Sequence, residues 1–240
     1  MSSLQQSITY DPVELLKRLD PESKLEQYYQ LLLEENKRIN LVSRETGIGK
    51  VATDSAVRCP HLTASKECRV GAPDTTLNSD VGFINLKKLT AQSLLPFEKI
   101  DIGEINNYLD IGSGGGFPAI PILLTRKINQ TCLLVERTQK KASALRRILL
   151  ALDIKATIVS QSFEEVSLEP MFDLITLRLV KLTPKLFNRI FFLLRAGGYF
   201  VYYAAPNFDL TDKGVSRTTY HYSTGSGKTT GCFTIFRKKV

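Results

Sequence analysis

Tyr108-Leu109-Asp110-Ile111-Gly112-Ser113-Gly114-Gly115-Gly116-Phe117-Pro118-Ala119-Ile120-Pro121-Ile122 reads as a strand, a glycine turn and the start of a helix. Tyr108 to Ile111 is short and apolar, as a strand buried on both faces should be, and carries an acid, Asp110, near its end. Gly112, Gly114, Gly115 and Gly116 follow at once; they are expected to supply positive φ and to remove each Cβ that would keep a ligand off the backbone. Pro118 suits the first turn of a helix, where its missing N–H costs nothing. A helix N-terminus should therefore face whatever the loop holds.

Two nucleotide chemistries use such a turn. Dinucleotide folds rest a pyrophosphate on it with G-x-G-x-x-G, which would need glycine where Phe117 stands. S-adenosylmethionine carries no phosphate; its sulfonium is cationic, so an acid just before the glycines is favourable. The run Asp110-x-Gly112-x-Gly114-x-Gly116 looks like the first motif of the Rossmann-like methyltransferases and marks a cofactor loop.

Outward from the turn, strand and helix alternate as in a doubly wound, mostly parallel α/β sheet. Strands are expected at 131–136, 155–160, 172–177 and 199–205, with helices at 139–152 and 183–195, the latter stopped by Gly197-Gly198. Residues 217–222 and 231–236 should form a C-terminal antiparallel hairpin. The glycine-rich turn between them, Gly225-Ser226-Gly227-Lys228-Thr229, mimics a phosphate loop, but Tyr222 stands where its first glycine belongs and a strand follows instead of a helix. Ahead of the core lies an N-terminal helical extension: Asp11-Pro12 opens one helix, and a second spans about 22–40 with its apolar face ending in Asn36 and Asn40. From about 43 to 88 the pattern dissolves, and an irregular insertion is expected. The division proposed is 1–105 for the extension and 106–240 for the cofactor-binding domain.

Composition narrows the partners. With 240 residues, 43% hydrophobic, the chain can bury a substantial core. No apolar run of about 18 residues exists and the N-terminus lacks a leader pattern, so a cytoplasmic protein without a membrane span is expected, and a monomer. A net charge of +8 points to a polyanion, nucleic acid first. Cys59, Cys68, Cys132 and Cys232 are scattered like reduced thiols; Cys59, His61 and Cys68 match no standard zinc spacing, and no metal is expected.

Several side chains fall where ligands gather, at the carboxyl ends of the strands. Glu136 ends the second core strand, where an acid can accept both ribose hydroxyls of an adenosine. Ser162-Phe163-Glu164 follows the third, either with Phe163 packing on adenine and Glu164 meeting its edge or with Ser162 and Glu164 as an ordinary cap. Arg178 ends the buried strand 172–177 and needs an anionic partner: an internal carboxylate, the cofactor tail or RNA. Lys140, Lys141, Arg146 and Arg147 form either the wet face of a helix or an RNA-binding strip. From spacing alone, Asn36 and Asn40 are capping residues.

Together, Asn36-Lys37-Arg38-Ile39-Asn40-Leu41, the motif from Asp110 through Gly116-Phe117-Pro118-Ala119-Ile120-Pro121, Ser162-Phe163-Glu164-Glu165, and Phe172-Asp173 with Arg178 resemble the glucose-inhibited division protein B family. The resemblance implies a Rossmann-like class I methyltransferase that uses S-adenosylmethionine to methylate N7 of a guanine in small-subunit (16S) ribosomal RNA. Gly112, Phe117, Phe163 and Glu164 would then line the cofactor site, while Arg178, Asn36 and Asn40 would hold the acceptor. The family's His-x-x-Asp-Ser-Leu segment corresponds to Leu89-Thr90-Ala91-Gln92-Ser93-Leu94, without the histidine and aspartate, and its lysine after the fifth strand is missing near Ala204. Two alternatives follow from those departures: a non-catalytic RNA-binding descendant that keeps the cofactor pocket, or a methyltransferase with another acceptor.

Overall fold

The computed structural model describes residues 4–20, 24–42, 75–208, 214–225 and 229–240. Eight strands, β1 (Leu4–Thr9), β2 (Ile105–Ile111), β3 (Ile128–Val135), β4 (Thr157–Val159), β5 (Phe172–Leu177), β6 (Leu194–Tyr202), β7 (Val215–Ser223) and β8 (Thr229–Lys238), form one sheet in the order β1-β7-β8-β6-β5-β2-β3-β4. β8 pairs antiparallel with both β6 and β7, and every other pairing is parallel. The helices are α1 (Pro12–Leu19), α2 (Lys24–Arg38), α3 (Thr75–Leu94), α4 (Ala119–Thr125), α5 (Gln139–Ala151) and α6 (Pro184–Leu193).

Alternation along the central strands sends side chains into two cores. Tyr108, Leu134, Leu174 and Val201 pack with α2 to α5, whereas Leu109, Val135, Ile175 and Leu177 pack with α6. Both faces of β5 are therefore covered, and all six of its residues are buried. The one acid in that strand, Asp173, accepts hydrogen bonds from the N–H groups of Asn106 (2.8 Å) and Asn107 (2.7 Å) and pairs with Arg195. A buried carboxylate so partnered ties the start of β2 to β5. Helix starts follow local chemistry: Asp11 accepts from the N–H of Val13 and Glu14 ahead of Pro12, and the Thr183 hydroxyl accepts from Leu186 N–H ahead of Pro184.

Chain order runs from β2 outward through β3 to β4, then crosses to β5 on the other side of β2. The crevice between the carboxyl ends of β2 and β5 is the switch point of the sheet, the place where such folds take ligands.

Four features differ from the sequence expectation. A strand, β1, precedes the helices of the extension and pairs with β7; Leu4-Gln5-Gln6-Ser7-Ile8-Thr9 is too polar to announce it. The 20-residue α3 covers Thr75–Leu94, where irregular chain was expected as far as Lys88; Asn78, Ser79, Asp80 and Gly82 are weak helix formers and blur its period. Gly197 and Gly198 lie inside β6 rather than ending α6. A Cβ at Gly198 would stand 3.0 Å from the carbonyl oxygens of Arg195 and Phe172, so any other residue would push that backbone apart. Lastly, φ is positive at Gly112, Gly114 and Gly116 but not at Gly115. The rest of the insertion, its Cys59, His61 and Cys68, and the turn at 226–228 lie outside the described residues.

Gly116 combines φ of +97° with a would-be Cβ 2.6 Å from Ile120 Cδ1. Replacement by alanine strains the backbone and crowds the core at once, and Gly116→Ala should cost about 2–4 kcal/mol of unfolding free energy in urea titrations. Gly103, which has nothing within 4 Å of its would-be Cβ, should tolerate alanine within about 0.5 kcal/mol.

Candidate cofactor and acceptor site

The glycine turn is clasped from three directions. From above, the buried Tyr28 of α2 donates its hydroxyl to Gly115 O at 2.8 Å and packs on Phe117 at a ring separation of 5.3 Å. From the side, the segment after α2 crosses the turn so closely that a Cβ on Gly115 would meet Leu41 O at 3.2 Å. From β3, the Glu136 carboxylate accepts from Gly114 N–H at 2.9 Å and from Thr138 N–H at 2.7 Å. Each contact holds backbone that would otherwise be free to move.

Beside this turn, at the switch point, lies a cavity of about 600 Å³. Gly112, Gly114, Phe117, Glu136, Ser162, Phe163, Glu164, Arg178, Lys141 and Asn40 all line it. Its partly apolar wall suits the adenosine half of S-adenosylmethionine: Phe163 is apolar and buried, and Glu136 has lone pairs beyond its two backbone bonds for a ribose diol. Behind Phe163, Arg189 lays its guanidinium 4.9 Å over the ring and donates to Val166 O. Ser162 donates to Glu164, and this bond holds the Glu164 carboxyl below its ordinary pKa.

Other expected site residues sit behind the wall. Gly116 does not line the cavity; its role is the turn itself. Asp110 is 1% exposed beneath the glycines. Tyr108 OH donates to Thr176, whose hydroxyl donates to Asp110 Oδ1 at 2.5 Å, while Oδ2 has no partner among the described residues. Burial pushes the Asp110 pKa up to about 6. Asn36, 3% exposed, accepts from Leu41 N–H (2.8 Å) and Val42 N–H (3.1 Å). It thereby shapes the segment that carries Asn40, Leu41 and Val42 to the cavity, and spacing alone had favoured such a capping role.

Arg178 reaches the cavity from the end of β5. Its guanidinium donates to Leu89 O (3.3 Å), Ser93 Oγ (2.8 Å) and Gln92 Oε1 (3.1 Å), and sits 5.5 Å over the Tyr203 ring. Tyr203 in turn donates to Ser93 O at 2.5 Å. All these partners are neutral. Gln92 occupies the place that the family resemblance gives to aspartate, and no carboxylate among the described residues forms an ion pair with Arg178. Burial lowers the guanidinium pKa, and a bound anion would relieve that desolvation.

The basic strip divides. Arg147 makes a bidentate pair with Glu35 (2.7 and 2.6 Å) that ties α5 to α2, and Arg146 donates to Ile158 O at 3.1 Å. Both are committed within the fold. Lys140 is exposed, and Lys141 and Arg137 line the cavity mouth. Sequence reasoning missed Arg137 and also the buttresses Tyr28, Gln92 and Arg189, since their partners lie far off in the chain. Among the described residues no group of three or more His, Cys, Asp or Glu could hold a metal ion, and no helix is long and apolar enough to cross a membrane.

The model of the GidB family, described as rRNA small subunit methyltransferase G, matches residues 80–214, more than half of the chain. The chain belongs to that family. Relatives named ribosomal RNA small subunit methyltransferase G include those of Helicobacter hepaticus (32% identical over 119 residues, 48% of this chain and 63% of the relative) and Bartonella tribocorum (29% over 176 residues, 72% and 76%). The match thus spans less than two thirds of the first relative's length and about three quarters of the second's. Among solved structures, a putative O-methyltransferase from Klebsiella pneumoniae superposes with a TM-score of 0.55 at 17% identity, covering 95% of this chain and 96% of that one. An O-methyltransferase from Bacillus cereus in complex with SAH gives 0.50 at 17% identity, covering 71% and 94%. The expected class I methyltransferase fold is thereby found, with a C-terminal antiparallel pair.

Asp110 yields a stability test. Its folded pKa of about 6 lies above the ordinary 3.8, so the native state holds the proton more tightly than the unfolded chain. This contribution is full below pH 3.8 and is lost as pH rises through 6. Unfolding titrations should show the wild type losing about 2 kcal/mol relative to Asp110→Asn between pH 4 and 7, and no further change above.

Proposed function

We propose that this protein is an S-adenosylmethionine-dependent methyltransferase that methylates N7 of a guanine in small-subunit (16S) ribosomal RNA in the cytoplasm. The observation that carries the reading is the pairing of two unlike groups at one switch-point cavity: a fixed acid, Glu136, over the glycine turn, and Arg178, an arginine with no carboxylate partner among the described residues. Family membership and the names of the relatives support the RNA substrate, and the net charge of +8 suits a polyanion.

Gly112, Gly114 and Phe117 would carry the cofactor against the turn, Glu136 would bind its ribose, and Phe163 with the Ser162–Glu164 pair would enclose the adenine. The bound cofactor supplies an electrophilic methyl on a cationic sulfur. A guanine N7 held in line with that methyl would accept it, the S–CH₃ bonding pair remaining on sulfur and the positive charge passing to the ring. Guanine N7 offers a free lone pair at neutral pH, so no side chain has to remove a proton. The chain's contribution is placement and dryness: Arg178 and Asn40 hold the acceptor, and the segment fixed by Asn36 closes the cavity over the turn. Arg137, Lys140 and Lys141 at the mouth take phosphates; Arg146 and Arg147 do not.

Transfer of labelled methyl to small-subunit RNA from cells lacking the protein, followed by nucleoside analysis, should place the label in 7-methylguanosine. Glu136→Ala should weaken S-adenosylmethionine binding about 10- to 100-fold in calorimetry, the loss expected for hydrogen bonds to a charged group. Arg178→Ala should lower transfer to RNA by a similar factor while the protein stays folded. Cofactor binding without transfer to free RNA or intact subunits would instead mark a binding-only descendant.

A further inference from the structure

The segment that leaves β5 beyond Arg178 is built against ordinary preference. Leu179 is 92% exposed and its φ is +59°, a left-handed backbone that a branched side chain adopts only at a cost. Val180 beside it is 36% exposed. Neither residue is loosely held. On one side Arg178 is anchored to α3 through Leu89 O, Gln92 and Ser93. On the other, Leu182 is buried and its N–H points to Tyr202 OH at 3.4 Å. Val180 itself lies over the glycine turn, with Cγ2 2.9 Å from where a Cβ on Gly112 would stand. Two pinned ends thus present an aliphatic pair to the cavity.

We infer that Leu179 and Val180 form the platform on which the acceptor purine of RNA is seated after it leaves its stack. The inference rests on the reading of the preceding subsection and adds to it the residues that grip the base. An aliphatic side chain covered by a flat nucleobase exchanges exposed apolar surface for contact, the gain that offsets its left-handed backbone. Charge selects the occupant: Lys181 and Lys185 are exposed just beyond the pair, while Arg137 and Lys141 line the cavity. Cations that follow the aliphatic pair in the chain, and others that line the same cavity, suit a nucleotide, whose phosphates they can meet while its base covers the pair. Nothing in the reaction requires Leu179 to touch the cofactor's ribose or adenine, which Glu136 and Phe163 serve.

Leu179→Gly separates the platform from the fold, because glycine removes the side chain and also relieves the backbone at φ +59°. Its melting temperature should equal or exceed that of the wild type, and its affinity for S-adenosylmethionine in calorimetry should stay within about twofold. Its affinity for small-subunit RNA and its kcat/KM for RNA should each fall about tenfold, the scale of one lost base contact, with the salt slope of binding unchanged. Leu179→Met, which restores an aliphatic surface, should recover most of the transfer. RNA binding and transfer by Leu179→Gly equal to those of the wild type would overturn the platform, as would an equal loss of cofactor affinity. If the wild type binds RNA in a Leu179-dependent manner yet transfers no methyl, the platform stands and the catalytic reading falls.

Discussion

One backbone segment of five residues, 112 to 116, has to be approached by a hydroxyl, a carboxylate and another stretch of backbone at the same time, and much of the molecule is arranged to allow it. Tyr28 can reach Gly115 O only because α2 lies across the sheet. Leu41 can pass Gly115 only because that residue lacks a side chain and because Asn36 turns the chain after α2. Glu136 meets Gly114 because β3 is paired in register with β2, Ile111 opposite Val135. Helix α2 and the segment after it therefore act as the outer wall of the glycine turn. The Glu35–Arg147 pair, which joins α2 to α5, belongs to the same arrangement.

The opposite lip of the cavity obeys a different rule. A guanidinium at the end of a buried strand is fixed by a carbonyl, a hydroxyl, an amide and a ring, all of them neutral. Its geometry is set without cancelling its charge. Had aspartate stood at position 92, an internal ion pair would have formed and the field reaching the cavity would have been weaker. Under the glycine turn, Asp110 is held almost wholly out of water with one oxygen unpartnered among the described residues. The guanidinium thus reaches the cavity with its position fixed and with no carboxylate among the described residues to cancel its charge.

What was legible in the sequence was whatever depends on neighbours in the chain. The glycine turn, the core strands near it, the hairpin and both Pro-started helices are encoded by residues within a few positions of one another. Glu136, Phe163 and Arg178 could be placed at the cavity because each follows the end of a strand, and the carboxyl ends of parallel strands face one edge. The misses have the opposite character. β1 is polar and owes its existence to a partner more than two hundred residues away. Arg147 looks like a solvated cation until Glu35 is placed against it. Leu179 gives no signal at all, since exposure and a left-handed backbone are properties of the assembled loop.

The pairing of β1 with β7 also sets an order of events. Leu4 lies opposite Thr218 and Thr9 opposite Ser223, so β1 is made long before its partner and is among the last strands to find its place. Contacts of such sequence separation close slowly. Until β7 has emerged and paired with β8, residues 4–9 trail as an unpaired edge, and α1 is tethered at one end only. The helices that wall the cofactor turn can settle earlier, against β2 and α4. The protein should therefore pass through a stage in which the cavity exists while its first strand still hangs free, a peptide edge open to whatever chain is made beside it.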